Sequence, residues 1–163
     1  MPLRDYELVQ KAKRDGWVKV SIKGMTRALD CDPAACQGLC CRGHNSVLAS
    51  HYHPDELAKL PENLRYLVAP DGTIFYDNKG NCSLIPHCLE NPSIIPNECR
   101  LFPLRFNSSG RLVMTRWAWV KPCPSYNKGR PIYISMRQCL VDVFGEEVYN
   151  NILLAVENNV ARF

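Results

Sequence analysis

The sequence has no run of 18 or more apolar residues, so nothing in it reads as a membrane-spanning helix. Its first residues, Met1-Pro2-Leu3-Arg4-Asp5-Tyr6-Glu7, turn charged at once and offer no apolar signal-peptide core. The expectation is a cytoplasmic chain with no membrane attachment. Four familiar catalytic signatures are missing: the phosphate-cradling glycine loop, His-Glu-x-x-His, Gly-x-Ser-x-Gly and the dinucleotide fingerprint. There is also no Cys-x-x-Cys, which removes the usual signature of zinc ribbons and thioredoxin-like proteins. Cys36-x3-Cys40 is followed by Gly43 where a radical-type triplet needs a third cysteine. Acidic residues are absent from Arg100 to Arg137, a stretch holding Arg100, Arg105, Arg111, Arg116, Lys121, Lys128, Arg130 and Arg137.

What the sequence does hold is cysteine, nine of them in 163 residues. An odd count without a secretion signal argues against a disulfide framework; in a reducing compartment clustered thiols bind metal or do redox work. The length suits one domain (1–163), and a composition that is 46% hydrophobic and 22% charged is that of a globular chain. The basic stretch admits two readings. It is a surface for phosphate or an acidic partner, or it balances metal-bound thiolates. Two four-thiolate sites would carry about −2 each and so cancel the formal +4. We prefer compensation.

Hydrophobic periodicity outlines an α+β domain, small and irregular, organised by metal, with a short antiparallel sheet and peripheral helices. Residues 1–16 read as an amphipathic helix bearing Tyr6, Val9 and Ala12, closed by Gly16. Trp17 to Ile22 alternates as a strand would. Val47 to Ala49 could form a short strand, and His53-Pro54-Asp55-Glu56-Leu57 opens a helix that Pro61 ends or kinks. Thr73-Ile74-Phe75-Tyr76 reads as a small strand between turns. From Cys82 to Pro103 four prolines argue against regular structure, so something other than a backbone ladder must hold that segment. A hairpin joins Leu104–Phe106 to Arg111–Val120 through Asn107-Ser108-Ser109-Gly110. The C-terminal helical part, about 131–163, holds two helices, Tyr133 to Phe144 and Glu146 to Val160, divided by Gly145. Val148, Ile152, Val156 and Val160 form a buried stripe on the second.

The cysteines fall into clusters within about residues 31–125. Cys31-x4-Cys36-x3-Cys40-Cys41 forms a loop whose glycines allow tight turns, so its thiolates can converge. Cys82-x5-Cys88-x10-Cys99 follows, ending in Cys99-Arg100-Leu101-Phe102-Pro103, and then Cys123-Pro124. Over about residues 31 to 125 this order resembles the CxxCxxCC family of zinc- or iron-chelating domains. The resemblance implies ligand roles for Cys31, Cys36, Cys40, Cys41, Cys82, Cys88, Cys99 and Cys123. One departure stands out: the family places two residues between its first cysteines and two before the pair, where this chain has four and three.

Successive side chains in extended backbone point apart, so Cys40 and Cys41 suit different centres. Eight thiolates make two four-ligand sites, or one cluster with four cysteines left over. Zinc and iron–sulfur clusters are both open; the irregular, proline-rich surroundings tilt the reading to iron–sulfur, a [4Fe-4S] cluster. His44 and His87 lie beside ligand candidates and could replace a thiolate, while His51 and His53 read as capping or surface residues. Cys139 reads as a small buried hydrophobe in a helix.

Three functions compete. The first is a metal-binding protein whose centre is structural or carries electrons, with an undefined protein partner. The second is an iron–sulfur-dependent modifying enzyme. The third is a zinc-organised module for nucleic acid or acidic protein, suggested by the basic stretch with Trp117 and Trp119.

Overall fold

The structure, a computed structural model, describes residues 3–30, 52–115, 123 and 125–159. It is an α+β fold of short helices and two two-stranded antiparallel sheets. The chain divides into two compact units. One is Pro33–Arg100; the other combines Pro2–Asp32 with Leu101–Phe163.

The discontinuous unit carries the longer elements. α1 (Leu3–Asp15) buries Val9 and Ala12, as its periodicity predicts. The strand expected over Trp17 to Ile22 shrinks to a single parallel bridge between Val20 and Leu112. The Ser21 hydroxyl explains the correction. It accepts from the Gly24 N–H at 3.1 Å and starts α2 (Ile22–Met25), so a helix cap overrides the alternation. β1 (Ala28–Leu29) pairs with β4 (Tyr126–Pro131), and β2 (Leu104–Phe106) with β3 (Leu112–Met114).

The β2–β3 hairpin has the expected register, Leu104 facing Met114 and Phe106 facing Leu112. Asn107 closes its loop, its side-chain oxygen accepting from the Ser109 and Arg111 N–H groups, and Arg4 donates to the Asn107 and Ser108 carbonyls. The remainder of the predicted second strand, with Trp117 and Trp119, lies outside the described residues, as does Val47 to Ala49.

The single helix expected from Tyr133 to Phe144 is interrupted at Met136, giving α6 (Ile132–Ser135) and α7 (Arg137–Phe144). Gly145, at φ 92°, then turns the chain into α8 (Glu146–Glu157) through a conformation that side chains oppose. Val148, Ile152 and Val156 are buried as the stripe predicts; Val160 is outside the described residues. α1 and α8 both pack on α7. Leu140 is fully buried, and Phe106 meets Phe144 edge to face at 6.3 Å.

The continuous unit is built from shorter pieces. Pro54 occupies the first position of α3 (Pro54–Leu57), with His53 as the cap residue, as read from the sequence. A 3-10 helix, Glu62–Leu67, follows Pro61. The expected strand Thr73 to Tyr76 reduces to two isolated bridges, Val68 with Ile74 and Tyr76 with Cys82. The proline-rich segment is more regular than its composition suggests. It forms α4 (Ile85–Glu90), a 3-10 turn at Pro92–Ile94 and α5 (Asn97–Leu101). Pro86 and Pro92 sit in first turns, where a missing N–H costs no intrahelical bond. Tyr52, Leu60, Leu64, Val68, Ile74, Leu84 and Ile94 make the core of this unit, with Cys82 and Cys88 packed against it.

Candidate functional site

Tyr52 is the centre of this arrangement, and sequence reasoning passed over it. Its backbone N–H donates to the Gly72 carbonyl at 2.8 Å, fixing the start of the described segment. Gly72 cannot be replaced there without movement: it sits at φ 91°, and an added Cβ would lie 2.0 Å from the Tyr52 carbonyl oxygen. The Tyr52 ring is buried, and its hydroxyl donates to the Ile94 carbonyl at 2.5 Å.

Burial pushes the Tyr52 hydroxyl far above the usual tyrosine range, and the thiols of Cys88, Cys99 and Cys82, together with Glu56, push it the same way. Three of the eight predicted ligands therefore stand around one buried hydroxyl. Each arrives on a different piece of backbone. Cys82 lies at the Tyr76 bridge just before α4, Cys88 is inside α4, and Cys99 is inside α5.

These pieces are held by polar staples. The Glu56 carboxylate accepts from the His53 N–H at 3.4 Å with one oxygen and from the Asn97 N–H at 2.7 Å with the other, tying α3 to the first residue of α5. The Arg100 side chain donates to the Ile95 carbonyl at 2.9 Å, the Pro92 carbonyl at 2.8 Å and the Ser93 carbonyl at 3.0 Å. It thereby fixes the turn that carries Ile94, the acceptor of the Tyr52 hydroxyl. Arg100 had a sequence signal, because it follows Cys99 in the Cys-Arg-x-Phe-Pro segment. Tyr52 had none.

The thiols differ in their surroundings. Desolvation pushes Cys88 up to about 12; neighbouring Cys82 adds to this and the Arg100 charge opposes it. Burial also raises Cys82, while the N–H groups of Leu84 and Ile85 directed at its sulfur pull the other way. Clustered thiols in a half-buried place resist ionising together unless positive charge arrives. N–H groups aimed at a sulfur are the outer-shell feature that tunes thiolate ligands. The donor chemistry thus fits a thiophilic metal. Among the described residues, no three Cys, His, Asp or Glu side chains are already closed into a metal-holding group.

The other predicted ligands are distributed as follows. Cys31, Cys36, Cys40 and Cys41 lie outside the described residues. Cys123 belongs to the discontinuous unit, where its carbonyl accepts from the Tyr126 N–H at 3.0 Å. Cys139 is half-buried in α7. None of Cys82, Cys88, Cys99, Cys123 and Cys139 is in a disulfide. His87 is half-buried in α4, and His44 and His51 lie outside the described residues. Among the described residues no helix is long and apolar enough to cross a membrane.

No family model, curated protein or solved structure matches this chain.

Proposed function

We propose that this chain is a cysteine-ligated metal-binding protein of the CxxCxxCC type, with an iron–sulfur cluster favoured over zinc. Its ligands are drawn from Cys31, Cys36, Cys40, Cys41, Cys82, Cys88, Cys99 and Cys123. The observation that carries the reading is the gathering of Cys82, Cys88 and Cys99 around the Tyr52 hydroxyl. Three soft donors on separate pieces of backbone, in a unit with little sheet, are what a metal-organised segment requires.

A bound cluster would supply one-electron redox chemistry, and zinc would supply a structural cross-link. The chain's own contribution is to hold the thiols, exclude water from them through the Tyr52 and Leu84 core, and direct N–H groups at Cys82. The role is structural or electron-transferring, in the cytoplasm, where thiols remain reduced, with a protein as the partner for electron transfer.

Purification without oxygen, followed by absorbance and by counts of iron, sulfide and zinc per chain, tests this reading. A brown protein carrying iron and acid-labile sulfide is the expected result. A colourless protein with bound zinc would move the assignment to zinc. A folded protein with neither would overturn it.

A further inference from the structure

We infer that Cys82, Cys88 and Cys99 serve one and the same metal centre, and that Tyr52 is its positioning residue. This rests on the metal-binding reading and deepens it by assigning which of the eight cysteines act together. The ligand class is a single thiophilic cation or cluster.

The argument is geometric. Cys82 and Cys88 pack on the apolar cluster that contains Tyr52, Leu84 and Ile94. The Cys88 N–H donates to the Leu84 carbonyl at 2.8 Å, and the Cys82 carbonyl accepts from the Ile85 N–H at 3.3 Å, so the first turn of α4 sets both residues. Cys99 is placed by α5, whose first N–H is held by Glu56 and whose Arg100 clamps the turn around Ile94. The Tyr52 hydroxyl closes this loop of constraints by donating to Ile94. A single hydrogen bond thus connects the strand-like start of the unit to the turn between the two thiol-bearing helices. Without it, α4 and α5 lose their common reference.

The test uses the intact chain and the metal alone. Metal-free protein is titrated with cobalt(II), alkylated at each step with iodoacetamide, and mapped by mass spectrometry. A shared centre predicts that Cys82, Cys88 and Cys99 become protected together, in step with one another and with growth of the thiolate-to-cobalt absorption. Cys139, outside the set, keeps its alkylation rate. Protection of some cysteines with one of these three left at its unprotected rate overturns the grouping while leaving metal binding intact. Protection of no cysteine overturns both.

Tyr52→Phe separates positioning from simple packing, because the ring is kept and only the hydroxyl is lost. The expected result is a protein with wild-type far-UV dichroism, cobalt affinity lower by about tenfold or more, and an altered cobalt ligand-field spectrum. Unchanged affinity with an unchanged spectrum would remove Tyr52 from the proposal.

Discussion

The two units solve the problem of holding a chain together by different means. In the discontinuous unit, α7 and α8 are amphipathic helices whose apolar stripes meet, and the β2–β3 hairpin adds a paired ladder. Its interior includes Leu112, Ile132 and Leu140, all fully buried. Each such side chain contributes about 1.5–3 kcal/mol by leaving water. In the continuous unit no described helix is longer than six residues, and pairing among the described residues is limited to isolated bridges. A small apolar cluster is supplemented there by side-chain staples from Tyr52, Glu56 and Arg100. Stability in the first case follows from area; in the second it depends on a few polar contacts around thiols. The contrast places the thiols in the unit that most needs a cross-link.

Substitutions can break that contrast, and the largest effect belongs to the apolar core. Leu140→Ala should destabilise the α7–α8 region by about 2–5 kcal/mol, read by denaturant unfolding followed by far-UV dichroism. Metal content per folded chain should be unchanged; a loss of metal in step with stability would show that the two regions do not differ as described. Next is a matched pair of tyrosines. Tyr52→Phe leaves the Ile94 carbonyl without this donor, and Tyr149→Phe does the same to the Tyr133 carbonyl, whose bond is 3.0 Å. Each should cost about 1–3 kcal/mol in the metal-free protein. Only the first should also weaken metal binding, which a competition titration against a chromophoric chelator would measure.

A smaller effect is expected at the cap of α2. Ser21→Ala removes the acceptor of the Gly24 N–H and should cost about 1 kcal/mol, measured by thermal unfolding. Smallest is the exposed pair on β4. Arg130 forks onto both Asp30 oxygens at 2.9 Å and holds its carboxyl below the usual carboxylate range. A carboxyl lowered in the folded state stabilises above its ordinary pKa and loses that contribution as pH falls through the lowered value. Arg130→Gln should therefore flatten the stability–pH curve slightly below pH 4, with little change at neutrality, as an acid titration followed by dichroism would show.

Elements legible in the sequence were those fixed by their own periodicity. α1, the β2–β3 hairpin and α8 carry apolar residues at spacings that only one secondary structure can bury, and they formed near the expected positions. Trp17 to Ile22 misled because alternation says nothing of a serine hydroxyl able to cap the next turn. The segment from Cys82 to Pro103 misled for the opposite reason. Proline is a helix breaker only past the first turn, and Pro86 and Pro92 both fall within it. The site was half legible. Cys82, Cys88 and Cys99 announce themselves by residue type. Tyr52 contributes through a contact 42 positions away, and no local pattern around His51-Tyr52-His53 encodes it.

The central claim is that metal organises the thiol-bearing unit and not the helical one. Hydrogen exchange by mass spectrometry on metal-loaded and metal-stripped protein tests it directly. The account predicts that stripping abolishes protection across residues 82–101 while residues 137–157 exchange as before. Equal protection of residues 82–101 in both samples would contradict it.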